Sequence, residues 1–252
     1  MNKKELYIGW DIGGAHTKYT ISTDSKDTVE CRIVLCELWK SLSQLKNIIK
    51  TVNIKYKKDF HIINIISMSA EMCDIFSSRK KGVKAILSLF EKKGFTNHIY
   101  SRDNGISKFQ SFKNYSSLAS TNWMAIPDYL KNMDKNIIAI DIGSTTTDIV
   151  LIKNHVCVNK RYDDYSGLNT KELLYTGALR TPIYSVIDSL NLNKNLYNII
   201  PENFSTMSDI YRLLSIIKKT SDYTETADGR SKSTKDTLSR ISRVFGFDYS
   251  TG

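Results

Sequence analysis

Prolines number only three in 252 residues, and no Pro-, Gly- or Ser-rich stretch interrupts the chain, so composition marks no linker between domains. Long apolar runs are also missing. No stretch is long enough to cross a bilayer, and the polar start Met1-Asn2-Lys3-Lys4-Glu5 lacks the apolar core of a signal peptide; the expectation is a cytoplasmic protein with no membrane partner. The four cysteines, Cys31, Cys36, Cys73 and Cys157, form no C-x-x-C. Cys31 and Cys36 lie an odd number of residues apart on an expected strand and so face opposite sides, which excludes a disulfide or a shared metal site between them. Free, mostly buried thiols are the reading. His16, His61, His98 and His155 show no ligand spacing either, and His61 opens an apolar strand as a structural residue. Charge is in excess, at 36 Lys and Arg against 26 Asp and Glu. The basic residues are dispersed, however, and the richest stretch, Lys40 to Lys58, reads as the outer face of a helix. With no zinc-finger spacing and no alternation of aromatic and basic residues, nucleic acid is not expected as a partner; the charge suits an anionic small molecule.

What is present is one short loop written twice. Residues 11–18 read D-I-G-G-A-H-T-K and residues 141–148 read D-I-G-S-T-T-T-D. Each follows an apolar run and precedes another, which predicts a β-hairpin with an Asp at its mouth. Gly13 and Gly14 remove side chains where the backbone turns, and their amides, with that of Ala15, are placed to donate to phosphate oxygens. Thr17 adds a hydroxyl and Lys18 a cation. In the second copy Gly143 and Ser144 make the turn, and Thr145, Thr146 and Thr147 offer hydroxyls. Asp11 and Asp141 sit where a strand ends and are the expected Mg²⁺ carboxylates, since Mg²⁺ keeps much of its water and prefers carboxylate plus phosphate. A di- or polyphosphate ligand follows.

The repeat also organises the chain. Strands are expected at Leu6–Asp11, His16–Ser22, Val29–Cys36 and Ile62–Ser67, with His98–Tyr100 continuing toward the sheet. Helices are expected at Leu42–Tyr56, Glu71–Phe76, Lys81–Lys93 and Asn114–Tyr129, the last interrupted near Pro127. From Asn136 the pattern starts again, with strands Asn136–Asp141, Thr147–Lys153 and Val156–Arg161, then helices Pro182–Leu190, Thr206–Ile217 and Lys235–Phe245. The predicted domains are 1–133 and 134–252. The second copy is shorter than the first and reads as truncated.

Several segments together resemble a known family. They are W-D-I-G-G-A-H-T-K (Trp10–Lys18), S-A-E-M-C-D-I-F (Ser69–Phe76), N-W (Asn122, Trp123), D-I-G-S-T-T-T-D-I (Asp141–Ile149), Y-T-G-A-L-R-T-P (Tyr175–Pro182), M-S-D-I-Y-R (Met207–Arg212) and T-A-D-G-R (Thr226–Arg230). The paired loops are similar to those of the sugar kinase, heat-shock ATPase and actin superfamily. The whole set resembles its hydantoinase A/oxoprolinase group, within it the branch linked to tetrahydromethanopterin-dependent one-carbon metabolism, which includes methanofuran-biosynthesis synthases. Ser215 stands where that resemblance leads one to expect a glycine. The resemblance implies an α/β fold of two ribonuclease H-like, actin-like ATPase half-domains with a cleft between them. It implies an enzyme, a transferase that condenses an aminomethylfuran methyl diphosphate with the phenol of γ-glutamyltyramine and releases diphosphate. Small-molecule diphosphate and phenolic amine are then the partners. Asp148 or Glu71 is the implied base, while Arg180 and Asp228 are implied substrate ligands. The alternatives are an ATP-dependent small-molecule kinase or an oxoprolinase-like amidohydrolase, with ATP on the same loops, and a non-catalytic binding module.

Overall fold

A computed structural model describes residues 3–24, 27–91, 94–109, 114–218 and 221–249. The chain divides into two units, 1–133 and 134–252.

The first unit is built on a sheet ordered β3-β2-β1-β4-β5-β6, in which β1 is Lys4–Ile12, β2 His16–Thr23, β3 Thr28–Leu35, β4 Phe60–Met68, β5 Thr96–Ser101 and β6 Gly105–Lys108. β1, β2 and β3 form an antiparallel meander, and β4 then adds in parallel to the other edge of β1. This is the strand order of a ribonuclease H-like half-domain. The alternation of β1 buries Leu6, Ile8, Trp10 and Ile12. They share one core with Leu45, Ile49 and Val52 of α1 (Leu42–Tyr56) and with Val83, Ile86 and Leu87 of α2 (Arg79–Ser88). Ser41 caps α1 through Ser43 N, and Ser78 caps α2 through Lys81 N. Within the core, Trp10 donates Nε1–H to Asn64 Oδ1 at 2.9 Å, and the Asn64 amide donates in turn to Asn53 and Asn97, so the buried amides are paired.

On the face of the meander that packs against α1, Glu30 collects hydrogen bonds from Lys55 and Tyr56, then from Tyr19 and Arg32, which hold its carboxyl down to about 2. Because that value lies below its ordinary one, the stabilisation is complete above the normal carboxylate range and is lost as pH falls toward 2. Glu30→Gln is expected to flatten this acid limb in denaturation series run between pH 5 and pH 2. An unchanged limb would place the acid sensitivity elsewhere.

The second unit starts with the repeat: β7 (Asn136–Ile142) and β8 (Thr147–Lys153) form the second hairpin, and β9 (Val156–Cys157) and β10 (Leu173–Leu174), with α4 (Asp164–Thr170) between them in the chain, pair with β8. The register is that of the first hairpin, with Ile142 opposite Thr147 as Ile12 is opposite Thr17. A small core of Ile183, Ile199 and Val244 gathers Phe204, Ile210, Ile241 and Phe245. It joins α5 (Met207–Leu213) to α6 (Thr234–Val244).

Some expected elements differ. Residues 71–76 are turns rather than a helix, and 114–129 break into the 3-10 segments Tyr115–Leu118 and Asn122–Met124 before α3 (Ala125–Leu130). The expected helix Pro182–Leu190 is a 3-10 turn, Ile183–Ser185, followed by the hairpin of β11 (Ser189–Leu192) and β12 (Asn195–Asn198). Asn193 and Lys194 take φ of 50° and 68°, the left-handed pair that a two-residue hairpin loop requires. Ser215, just past α5, has φ 56°. That is glycine's region, so Ser215→Gly is expected to stabilise the chain by up to about 1 kcal/mol, read as a rise in melting temperature. A fall would show that the hydroxyl matters more than the strain.

Candidate phosphate-loop sites

Each unit carries one loop, and each loop is gripped by a segment distant in sequence. In the first, Gly13 N donates to His16 O at 3.0 Å, so this amide closes the turn rather than facing an anion. A Cβ on Gly13 would lie 2.8 Å from His16 O, which is why the position is glycine. Cys36 N donates to Ala15 O and Leu38 N to Gly14 O, both at 2.9 Å, which anchors the loop by its carbonyls. The amides of Gly14 and Ala15 take no part in these bonds. Thr17 is fully buried. Lys18 reaches back to Asp11 Oδ2 at 3.1 Å, and Asp11 Oδ1 is buried without a hydrogen-bond partner among the described residues.

The turn after β4 closes on this loop: Ser69 N donates to Ile12 O at 3.0 Å. The same turn carries Glu71, which is fully buried. Its Oε1 accepts from Ser120 Oγ at 2.9 Å and lies 3.8 Å from Arg79 Nε. Ser120 itself has φ 49°, and Thr121 N bonds Met68 O, so the segment before Asn122-Trp123 is drawn to the same end of the sheet.

In the second loop Gly143 N likewise closes the turn on Thr146 O at 2.8 Å. Here the grip is closer. Gly177 N donates to Thr145 O, Ala178 N to Gly143 O, and Leu179 N and Arg180 N both to Ser144 O, at 2.8–3.1 Å. Thr147 Oγ1 donates to Thr176 O at 2.9 Å. The Y-T-G-A-L-R-T-P segment is thus the cradle of the loop. A Cβ on Gly177 would stand 2.4 Å from Thr145 N, so no other residue fits there without moving the loop. Arg180 contributes its backbone amide to this cradle, and its side chain is exposed.

Asp141 is exposed at the mouth of this hairpin and stands directly across from Asp148. The first hairpin has Asp11 opposite Lys18 at the same register. Two carboxylates facing each other repel, and Arg161 answers one of them: it is 4% exposed and donates Nη1–H to Asp148, with Nη2 reaching Asp164 at 3.0 Å. Burial nevertheless pushes the Asp148 carboxyl above its ordinary range; Arg161 pulls the other way and Asp141 adds to the rise. Arg161 was not singled out from the sequence, since only the fold brings it to Asp148. Asp228 lies elsewhere, accepting from Arg230 and from the buried Arg240. Burial works to raise its carboxyl, and the hydrogen bonds from Arg230 and Arg240 outweigh that and hold it low. Both its oxygens accept within this network, which shapes the Thr226–Arg230 turn.

Residues 63–246 match the family model described as hydantoinase/oxoprolinase. This chain belongs to the hydantoinase/oxoprolinase family. It is 31% identical over 97% of its length to the (4-{4-[2-(γ-L-glutamylamino)ethyl]phenoxymethyl}furan-2-yl)methanamine synthase of Methanocaldococcus jannaschii, and covers 73% of that protein. The synthase of the same name from Methanococcus vannielii is 35% identical over 47% of this chain, and the match spans about half, 53%, of its length. Among solved structures the Aquifex aeolicus Ppx/GppA phosphatase is 12% identical over 69% of this chain and 53% of its own, with a TM-score of 0.37. In this hydantoinase/oxoprolinase family member the second D-I-G loop lies within the residues that match the family model, and both loops close hairpins of the same register.

Proposed function

We propose that this family member carries out the reaction for which its Methanocaldococcus relative is named, forming the aryl ether between a furfuryl carbon and the phenol of γ-glutamyltyramine. The observation that carries the reading is the 31% identity running over 97% of the chain, which takes in both loops and the segments that grip them. In the proposed step the phenol oxygen bonds to the furfuryl carbon of an aminomethylfuran methyl diphosphate. The bond from that carbon to diphosphate breaks, diphosphate leaves with the electron pair, and the phenol proton passes to a base.

In the first unit the amides of Gly14 and Ala15, and in the second the hydroxyls of Thr145 and Thr146, are each proposed as donors to phosphate oxygens. Mg²⁺ fits what the residues offer. Asp11 has a buried oxygen without a protein partner, and among the described residues no cluster of three His, Cys, Asp or Glu forms a complete cage. An ion held mainly by water and diphosphate needs few protein carboxylates, and each loop offers one, Asp11 in the first unit and Asp141 in the second; bound at such a carboxylate, it would neutralise charge on the leaving group. Asp148 suits the base better than Glu71: its carboxyl is raised and only partly buried, whereas Glu71 is sealed against Ser120.

The test is product release. The chain with Mg²⁺, the furfuryl diphosphate and γ-glutamyltyramine is expected to yield diphosphate and the aryl ether without ATP. ATP turnover in the absence of the furan substrate would replace this reading with that of a kinase or an ATP-dependent amidohydrolase.

A further inference from the structure

The lysines of α1 are not answered alike. Lys55 reaches Glu30 at 2.7 Å. Lys46 and Lys50, four residues apart on another face, make no ion pair among the described residues, and α1 holds no Asp or Glu to offset them. Like charges at that spacing repel each other. Lys57, just past the helix, holds its Nζ 5.4 Å from the centre of the Phe95 ring. All three lysines are exposed, and all three line one cavity of the first unit.

The cavity is about 160 Å³. Its walls are apolar: Ile49 from α1, Leu89 and Phe90 at the end of α2, and Phe95 before β5. Asn53 and Asn64 also line it, and both are buried in the amide chain that starts at Trp10. No acidic residue is part of the lining. Positions 46, 49, 50, 53 and 57 recur every three or four residues or at their sum, so one stripe of the helix supplies both the apolar wall and the cations.

Size and charge together select an occupant. A cavity of about 150 Å³ lined by Leu, Ile and Phe is filled by one benzene ring, so this one has room for a single ring. A nucleotide or a ligand of drug size needs roughly 300 Å³ or more. Phe90 and Phe95 favour an aromatic guest over an aliphatic one through edge-to-face contact. The lysines call for an anion, and because they are exposed it keeps its water while the ring loses its own.

We propose that this cavity between α1 and the end of α2 is a binding site for a small aromatic carboxylate, with the ring inside and the carboxylate at Lys46, Lys50 and Lys57. The lining belongs to neither D-I-G loop, so the proposal stands apart from the reaction.

Trp10 supplies the readout. It donates to Asn64 and meets Phe90 edge-on, with ring centres 5.7 Å apart, so it touches two lining residues. Titration of 3-phenylpropionate into the full chain is expected to give saturable one-site binding by calorimetry. It is also expected to shift the Trp10 indole N–H resonance more than those of Trp39 and Trp123. Butanoate has the acid without the ring, and 2-phenylethylamine has the ring with a cation; each is expected to bind at least about tenfold more weakly. Lys46→Glu with Lys50→Glu changes two exposed positions, so the double variant keeps its circular dichroism and is expected to lose affinity by a similar factor. Absence of saturable 3-phenylpropionate binding would overturn the proposal, as would equal binding of butanoate or the amine, or equal binding by the double variant. A shift at Trp39 or Trp123 with none at Trp10 would put the ligand elsewhere and overturn it too.

Discussion

Arg240→Met is expected to lower the unfolding free energy by about 3–5 kcal/mol, the cost of leaving a buried charge uncompensated. Arg240 is fully buried on α6 and gives every arm of its guanidinium to the fold. Nε and Nη2 donate to Asp209 of α5, the shorter contact at 2.8 Å. Nη1 donates to Asp228 and to Ser231 O, both at 3.1 Å. Asp209 is itself only 1% exposed and also accepts from Arg212, which in turn holds Asp222. The network therefore ties the Met207–Arg212 and Thr226–Arg230 segments to the last helix. Removing the arginine leaves the Asp209 carboxylate with half its hydrogen bonds in a site closed to water. Equilibrium denaturation in urea gives the value. Pairing the change with Asp209→Leu is expected to recover much of the loss, because an apolar pair tolerates the same site. A loss below about 0.5 kcal/mol for the single variant would show that water reaches the cluster.

Asp11→Asn and Asp141→Asn are each expected to lower turnover of the proposed condensation roughly 100-fold or more, with little change in fold. The amide keeps the shape of the carboxylate and loses its charge, so a cation held beside the diphosphate loses its protein ligand. Asp141 is exposed and Asp11 partly so, and neither supports a buried network of the Arg240 kind. The two positions differ in a measurable way. Asp11 has a cationic neighbour in Lys18, whereas Asp141 faces Asp148. Removing charge at Asp141 relieves one of the pressures that raise the Asp148 carboxyl, so the acid limb of the pH profile should move to lower pH in that variant and not in Asp11→Asn. Turnover within twofold of the parent at a saturating Mg²⁺ concentration, in both variants, would end the metal-carboxylate role of the loops.

Much of the first unit is legible in the sequence alone. The spacing of Leu42, Leu45, Ile48, Ile49 and Val52 predicts a helix with the bounds observed, and strands expected at Leu6–Asp11 and His16–Ser22 predict the hairpin. These are local signals: a period of 3.6 or 2 is written in neighbouring residues. Reading failed where local and distant preferences compete. Glu71–Phe76 looks helical by composition, but Ser69 is tied to Ile12, and Glu71 is sealed against Ser120, so the chain turns instead. Pro182 suits a first helical turn, yet the following residues pair across Asn193-Lys194 as a hairpin.

The candidate sites divide the same way. D-I-G twice in one chain is enough to set the paired hairpins, the Asp at each mouth and the glycine at each turn, because a tight turn constrains only the residues inside it. The partners of those loops come from far along the chain. Gly177 packs on Thr145, Arg161 reaches Asp148, Ser69 bonds Ile12, and Arg240 binds Asp209 and Asp228. Sequence by itself determined the loops and the family, through short-range geometry and shared motifs. Tertiary structure alone decided which carboxylates are neutralised and which are left facing one another, because burial and charge pairing depend on residues that meet only after the chain has folded.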